Sequence, residues 1–399
     1  MFRENLRYKQ MKLFGIVNQM PEGMKKMLER SWAFVFREKI FKKIEERRYK
    51  DLYSKAKSRP NFPVNIWVGL EIIKQLKDYT DEELIEQFHF NYLTAYAVGL
   101  DNLGEVTVCE RTLYYNRKRI LEYEERTGKD LLGEEFKAIT DETLKELGID
   151  TRTQRMDSSF VGSNIKQMCR LELLVKVLQN IYKDLSEENQ SLWKEKVSYY
   201  INQEADHVSF RLKREEIEMH IKRIGEILFE IHEYYAKAEE INSLKSYEHV
   251  GRVLEEQFII KADKEKVIIE AKPAKEIKAN SLQNPADDEA TYRKKGDKAS
   301  QGYVFNIAET CSPGNDVQLI TDVSTHQNVI SDDTILEERI EEIRERTQVK
   351  EMITDASYVG KGAEKKCDEE EVELIPTDIK GRSLSEDKLS LKDFDFKGY

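Results

Sequence analysis

The sequence predicts a mixed α/β protein with a helical front, and three observations carry that expectation. Apolar residues recur at three- and four-residue steps over residues 63–120 and 165–250. Strand-like apolar stretches surround residue 157 and reappear from residue 302 onward. In the last hundred residues such strands alternate with helices, the order of an α/β sheet. The expected organisation is a helical, helix-turn-helix-like domain over residues 1–130, an α/β core from residues 150–164 and 285–399, and a mainly helical insertion over 165–284.

The elements follow in chain order. Residues 1–60 hold basic, aromatic-rich helical segments with Trp32, Phe34 and Phe36, ending at Ser58-Arg59-Pro60-Asn61-Phe62-Pro63. Pro63 suits the first turn of a helix, which continues through Ile66, Trp67, Leu70, Ile73 and Leu76. Thr80 and Glu83 have the spacing of a capping box, and Thr107 with Glu110 repeats it before a basic helix. In the insertion, Ile217, Ile221, Ile224, Leu228 and Ile231 mark either the buried stripe of a local bundle or a coiled-coil face. Beyond it, Tyr303–Ala308 and Val317–Val323 read as a hairpin around the turn cluster Ser312–Asp316. A helix from about Asp333 to Arg346, a strand ending in Asp355, a helix over Gly362–Glu370 and a strand over Val372–Pro376 complete the order.

Of the 399 residues, 39% are hydrophobic, enough for a sizeable core, and 35% are charged, so long solvated helix faces are expected. No apolar run of about 18 residues exists, so no membrane partner is expected. The four cysteines lack the spacing of a metal knuckle or a disulfide framework, which fits a reducing cytoplasm. The net charge of −11 argues against nucleic acid only as an average. Residues 1–60 carry 17 Lys/Arg against 7 Asp/Glu, whereas residues 121–399 carry 42 against 60. Such asymmetry fits a chain whose front touches a phosphate backbone, or basic helix faces that are merely solvated.

Asp157, in Arg155-Met156-Asp157-Ser158, and Asp355, in Met352-Ile353-Thr354-Asp355, each end a strand-like run. Two carboxylates at the ends of adjacent strands can share divalent ions, as metal-assisted phosphodiester chemistry requires. A single aspartate at a strand end is more often a cap or turn residue. Arg111, Arg117, Lys118 and Arg119, interleaved with Tyr114 and Tyr115, are candidates for DNA contact, the alternative being an ordinary basic surface. Arg293, Lys294 and Lys295 form a second basic cluster that either holds substrate phosphates or is a solvated loop. Ser158 and Ser159 read as caps, the alternative being phosphate contact; Tyr358 reads as a packing residue, the alternative being a base stack; and Asp322 and His326 carry no assigned role.

Taken in order, these segments resemble a bacterial insertion-sequence transposase of the DDE type. Pro63–Trp67, Glu83–Phe88, Tyr96–Leu100 and Arg111–Leu113 resemble its N-terminal domain. Asp157-Ser158-Ser159 and Thr354–Tyr358 resemble its first two catalytic segments, and Asp287–Gly296 with Gly302–Asn306 the stretch leading to the hairpin. The resemblance implies a ribonuclease-H-like fold, two Mg²⁺ or Mn²⁺ ions, strand cleavage and transfer, and a homo-oligomer on double-stranded DNA in the bacterial cytoplasm. It implies Asp157 and Asp355 as catalytic metal ligands. A third carboxylate, a downstream Glu, is expected to be missing: only 44 residues follow Asp355, and the stretch ending Lys392–Tyr399 does not resemble its helix. The expectation is a C-terminally truncated or split transposase with impaired activity. The alternative is a non-catalytic DNA-binding or dimerising remnant that inhibits a full-length enzyme.

Overall fold

The computed structural model describes residues 1–9, 14–56, 59–210, 212–263, 266–295 and 298–377. Gly296 and the stretch Lys392–Tyr399 lie outside them. The chain divides into two compact units: Met1–Thr151 with Thr310–Asp322, and Arg152–Glu309 with the residues from Val323 onward. Among the described residues no helix is long and apolar enough to cross a membrane.

The first unit is helical, with α1 (Ile16–Gln19), α2 (Glu22–Glu29), α3 (Trp32–Lys39), α4 (Val64–Lys77), α5 (Asp81–Phe90), α6 (Tyr92–Ala97), α7 (Glu110–Thr127) and α8 (Leu131–Leu147). Every residue from Val64 to Leu70 is buried, so the first half of α4 is enclosed on all sides at the centre of the bundle. Phe36, Phe41, Leu84, Phe88 and Leu113 close around it. At the start of α5 the Glu83 amide donates to Thr80 Oγ1 at 3.2 Å and the Thr80 amide to Glu83 Oε2 at 2.8 Å, completing the expected capping box. The second box does not form. The cap of α7 is Cys109, not Thr107. The Val108 amide donates to His89 Nε2 at 3.3 Å and its side chain is buried, which keeps residues 107–108 extended and delays the helix by two residues.

The second unit opens with β1 (Thr153–Gly162), then α9 (Arg170–Asp184), α10 (Glu187–Ile201), α11 (Ala205–Ser209), α12 (Arg214–Tyr235), α13 (Glu239–Asn242) and α14 (Lys245–Gln257). On α12, Ile221, Ile224, Leu228 and Ile231 are buried against α9 and α14, so the isoleucine stripe is the core of a local bundle. Each such side chain is worth about 1.5–3 kcal/mol of burial. A hairpin, β2 (Phe258–Asp263) with β3 (Lys266–Ala271), closes this bundle and was not anticipated from the sequence.

The remaining elements are β4 (Thr291–Lys295), β5 (Lys298–Thr310), β6 (Ile320–Gln327), α15 (Asp332–Thr347), β7 (Glu351–Asp355), α16 (Lys361–Glu369) and β8 (Glu373–Thr377). They form a six-stranded sheet in the order β4-β5-β1-β7-β8, with β6 also paired to β5. Strands β1, β7 and β8 are parallel, and β4 is antiparallel to β5. Met156, Met352 and Ala308 pack against Leu336, Ile340 and Ile343 of α15 and Cys367 of α16, covering one face. The strand after the hairpin turn starts at Ile320 rather than Val317. Gln318 is drawn into the turn, where its side chain meets Thr310 Oγ1 at 2.8 Å and the Ser312 carbonyl at 3.1 Å.

Gly302 fixes how closely β5 approaches β1. Its φ is +147°, and a Cβ there would fall 2.3 Å from the Val161 carbonyl oxygen and 2.6 Å from the Ser163 amide nitrogen. Both obstacles are backbone and cannot rotate away. Gly302→Ala is expected to cost about 1–3 kcal/mol, read as a lowered urea midpoint; an unchanged midpoint would show that the strands separate freely here.

Candidate active site

The pairing of β1 with β7 builds the site. Thr153 lies beside Glu351, Gln154 beside Met352 and Arg155 beside Ile353. Asp157 is two residues beyond Arg155, and Asp355 two beyond Ile353. The two aspartates therefore stand level on neighbouring parallel strands. Alternation along each strand sets them on the face opposite Met156 and Met352, away from the core. Asp157 is exposed and Asp355 partly so.

A third carboxylate joins them. Asp332, the first residue of α15, accepts the Ser158 hydroxyl on Oδ1 at 2.7 Å. Its Oδ2 lies 2.8 Å from the Ser357 hydroxyl, which also touches Asp355 Oδ1. The Ser158 amide donates to Asp157 Oδ1 and the Ser357 amide to Asp355 Oδ1, each at 2.8 Å. Beneath them Tyr358 is fully buried and donates its hydroxyl to Asn306 Oδ1 at 2.7 Å. Burial pushes the Tyr358 phenol well above its usual range. The Ser158 contact pulls it back, and the charges of Asp332, Asp157 and Asp355 add to the rise.

Among the described residues no lysine or arginine pairs with Asp157, Asp332 or Asp355. The Ser357 hydroxyl holds one proton but touches two carboxylates, so at least one of those contacts lacks a donor. Such a group attracts a cation. Among the described residues, however, no three His, Cys, Asp or Glu side chains are arranged as a metal cage. Sequence reasoning did not single out Asp332, because an aspartate opening a helix is ordinary. It weighed Ser158 as a phosphate contact or a cap, not as a link to a third carboxylate. The available signal was a Ser beside each strand-end aspartate and an acidic pair at the helix that packs beneath them.

The basic candidates fall into different environments. Arg117 is a clamp within the first unit: Nε and Nη2 meet Glu71 at 2.9 and 3.0 Å, and Nη1 and Nη2 meet Asp81 at 2.6 and 2.7 Å. Arg119 lies over the Tyr53 ring at 5.2 Å. Lys118 is exposed, with Glu122 3.6 Å away, and Arg111 is exposed and donates to the Tyr115 hydroxyl at 3.2 Å. Arg293 and Lys294 lie on β4 rather than in a loop. Arg293 donates to the Asn328 carbonyl at 3.0 Å and covers the Phe160 ring, and Lys294 is exposed. Lys295 ends the same strand; its side chain lies outside the described residues. Among the histidines of the insertion, His232 stacks on Tyr247, His220 Nδ1 lies 3.0 Å from the Tyr200 hydroxyl, and His249 meets Asp288 at 3.2 Å. Asp322 is fully buried in β6.

Residues 25–119 match the family model described as Transposase domain (DUF772), which supports a transposase-family protein. No curated protein and no solved structure matches the chain.

The Arg117 clamp yields a pH signature. Its hydrogen bonds, opposed by partial burial and reinforced by Lys74, hold the Asp81 carboxyl well below the usual carboxylate range. A carboxyl whose folded pKa is depressed contributes stability that is full above its unfolded pKa and is lost progressively as pH falls from there through the folded one. Arg117→Gln is expected to destabilise the protein by about 1–2 kcal/mol at pH 7, discounted for partial exposure. The difference from wild type should shrink below roughly pH 4, where Asp81 becomes protonated in the unfolded chain. Urea titrations at pH 7 and pH 3 check both; a pH-independent difference would mean the clamp does not control Asp81.

Proposed function

We propose that this chain is an insertion-sequence transposase of the DDE type, whose helical front holds DNA and whose α/β unit acts on the phosphodiester backbone. One observation carries this reading: the β1–β7 register that sets Asp157 and Asp355 level on one face. The strand order supports a ribonuclease-H-like core, with the hairpin on one side of β1 and two parallel strands on the other. In this reading the long helical bundle after β1 is an insertion into that core. The match over residues 25–119 supports the transposase half of the proposal.

Asp157 and Asp355 would hold Mg²⁺ or Mn²⁺. When bound, these ions would activate the attacking hydroxyl and stabilise the leaving oxygen. Hard cations of this kind are ordinarily held by one or two carboxylates plus substrate phosphates, so two level aspartates fit them without a complete protein cage. The chain's own residues orient the ligands. The Ser158 and Ser357 amides fix one oxygen of each aspartate, and the two hydroxyls tie both strand ends to Asp332. Arg293 and Lys294 on β4, with Arg111 and Lys118 on α7, are proposed phosphate contacts. Arg117 and Arg119 are read as structural, since carboxylates and a ring already occupy them. Assembly as a homo-oligomer on DNA belongs to the same proposal.

A second reading, DNA binding without turnover, is favoured by the lack of a three-ligand metal cage among the described residues. Incubation of the full chain with plasmid carrying its own flanking sequence, in Mg²⁺ or Mn²⁺, separates the two. Strand cleavage is expected to fall at least about 100-fold in Asp157→Asn and Asp355→Asn, roughly 2.7 kcal/mol of barrier. DNA affinity should stay within about twofold, because neither residue is proposed to carry the helical front's grip. Cleavage that survives Asp157→Ala overturns the site; tight binding by wild type without cleavage selects the second reading.

A further inference from the structure

The first unit contains a cleft of about 1090 Å³ that neither the basic helix α7 nor the aspartate site explains. Arg3, Arg7 and Arg59 wall it, with Phe62, Val106 and Thr112 among its other surfaces. The local chain path brings the arginines together. The Met1 ammonium donates to the Arg59 carbonyl at 3.3 Å, the Arg3 amide to Asn61 Oδ1 at 2.6 Å, and the Asn61 amide to the Met1 carbonyl at 3.2 Å. The N-terminal segment is thus zipped beside residues 59–61. Asn5 anchors it further, donating through its amide to Glu46 and through Nδ2 to Asn65 Oδ1 at 3.1 Å. These bonds use backbone and amide groups and leave the three guanidinium groups exposed.

The charge in the cleft is not neutralised from within. Among the described residues no carboxylate pairs with Arg3, Arg7 or Arg59. The two lining carboxylates are engaged elsewhere: Glu4 meets Arg47 Nε at 3.2 Å, and Glu105 accepts from Asn102 Nδ2 at 3.0 Å. Small-molecule sites occupy about 300–1,000 Å³ and are mostly apolar. At about 1090 Å³ this cleft exceeds that range, and three arginines stand on its walls, which suits an extended polyanion. Guanidinium forks match phosphate oxygens bidentately. Arg59 and the 105–112 wall both fall inside the matched transposase domain, which selects nucleic acid over an acidic peptide.

We infer that the cleft walled by Arg3, Arg7 and Arg59 seats the phosphodiester backbone of DNA. This deepens the proposed function and rests on its DNA-binding half. The test is the salt dependence of DNA affinity for the full chain, by fluorescence anisotropy with a labelled duplex. Each arginine changed to Gln should lower the magnitude of the log–log salt slope by about 1, and the triple variant by about 3. Lys42→Gln removes a charge from the same basic front but outside the cleft, at a residue paired with Glu38, and should leave the slope unchanged. Unchanged circular dichroism would show that the variants fold. A triple variant with wild-type slope overturns the cleft while leaving DNA binding standing. Wild type that binds no DNA overturns both. Polyglutamate bound as tightly as DNA, and lost in the triple variant, overturns the assignment to nucleic acid.

Discussion

The parallel pairing of β1 with β7 is the constraint on which the second unit depends. It joins residues almost two hundred positions apart, Thr153 beside Glu351 and Arg155 beside Ile353. A slip of one residue would turn Asp157 or Asp355 from the open face into the packed one and bring Met156 or Met352 out of the core. Register is therefore fixed by burial: the two methionines cannot leave the apolar layer formed with α15 and α16 without exposing it. The level placement of the aspartates is a by-product of where the methionines must be. The hairpin on the far side reinforces this, because Gly302 allows β5 to lie against the continuation of β1 at a distance no side chain would permit.

Asp332 gives the site its electrostatic character. Three carboxylates share two serine hydroxyls and two backbone amides, and one hydroxyl proton is asked to serve two acceptors. In most proteins a nearby lysine or arginine would settle such an account. Among the described residues none does so here, and the Tyr358–Asn306 pair beneath the site is neutral and buried. The Asn306 amide nitrogen is itself without a hydrogen-bond partner among the described residues. A site built this way is stabilised by whatever positive charge it receives, which is the physical basis for reading it as a place for divalent ions and the phosphates they carry.

What could be read in the sequence follows from the range of the forces involved. The α15–β7–α16–β8 run was legible because each element announces itself locally, by period and by acids at a helix start. The Thr80–Glu83 box was legible for the same reason, since its two bonds span three residues. Its apparent repeat at Thr107 failed because a distant His89 holds the Val108 amide. Arg117 looked available in sequence because its partners are 36 and 46 residues away. Asp332 was invisible as part of the site because its serines belong to segments 174 and 25 residues distant. The β2–β3 hairpin was missed because two six-residue strands in a helical insertion look like helix margins.

The same distinction governs the basic front. A count of charges over residues 1–60 points to an anionic partner but not to a place, since most of those side chains are solvated or paired. Lys42 meets Glu38, Lys43 meets Glu146 and Arg48 meets Glu135, so a large share of the local excess is spent on holding the bundle together. Arginines whose backbones are fixed and whose guanidinium groups meet no carboxylate among the described residues are a smaller set. Arg3, Arg7 and Arg59 meet that condition, and they meet it around one concave surface. Charge that is both unpaired and convergent has the capacity to bind a phosphate backbone, which net composition alone, at −11 for the whole chain, would deny.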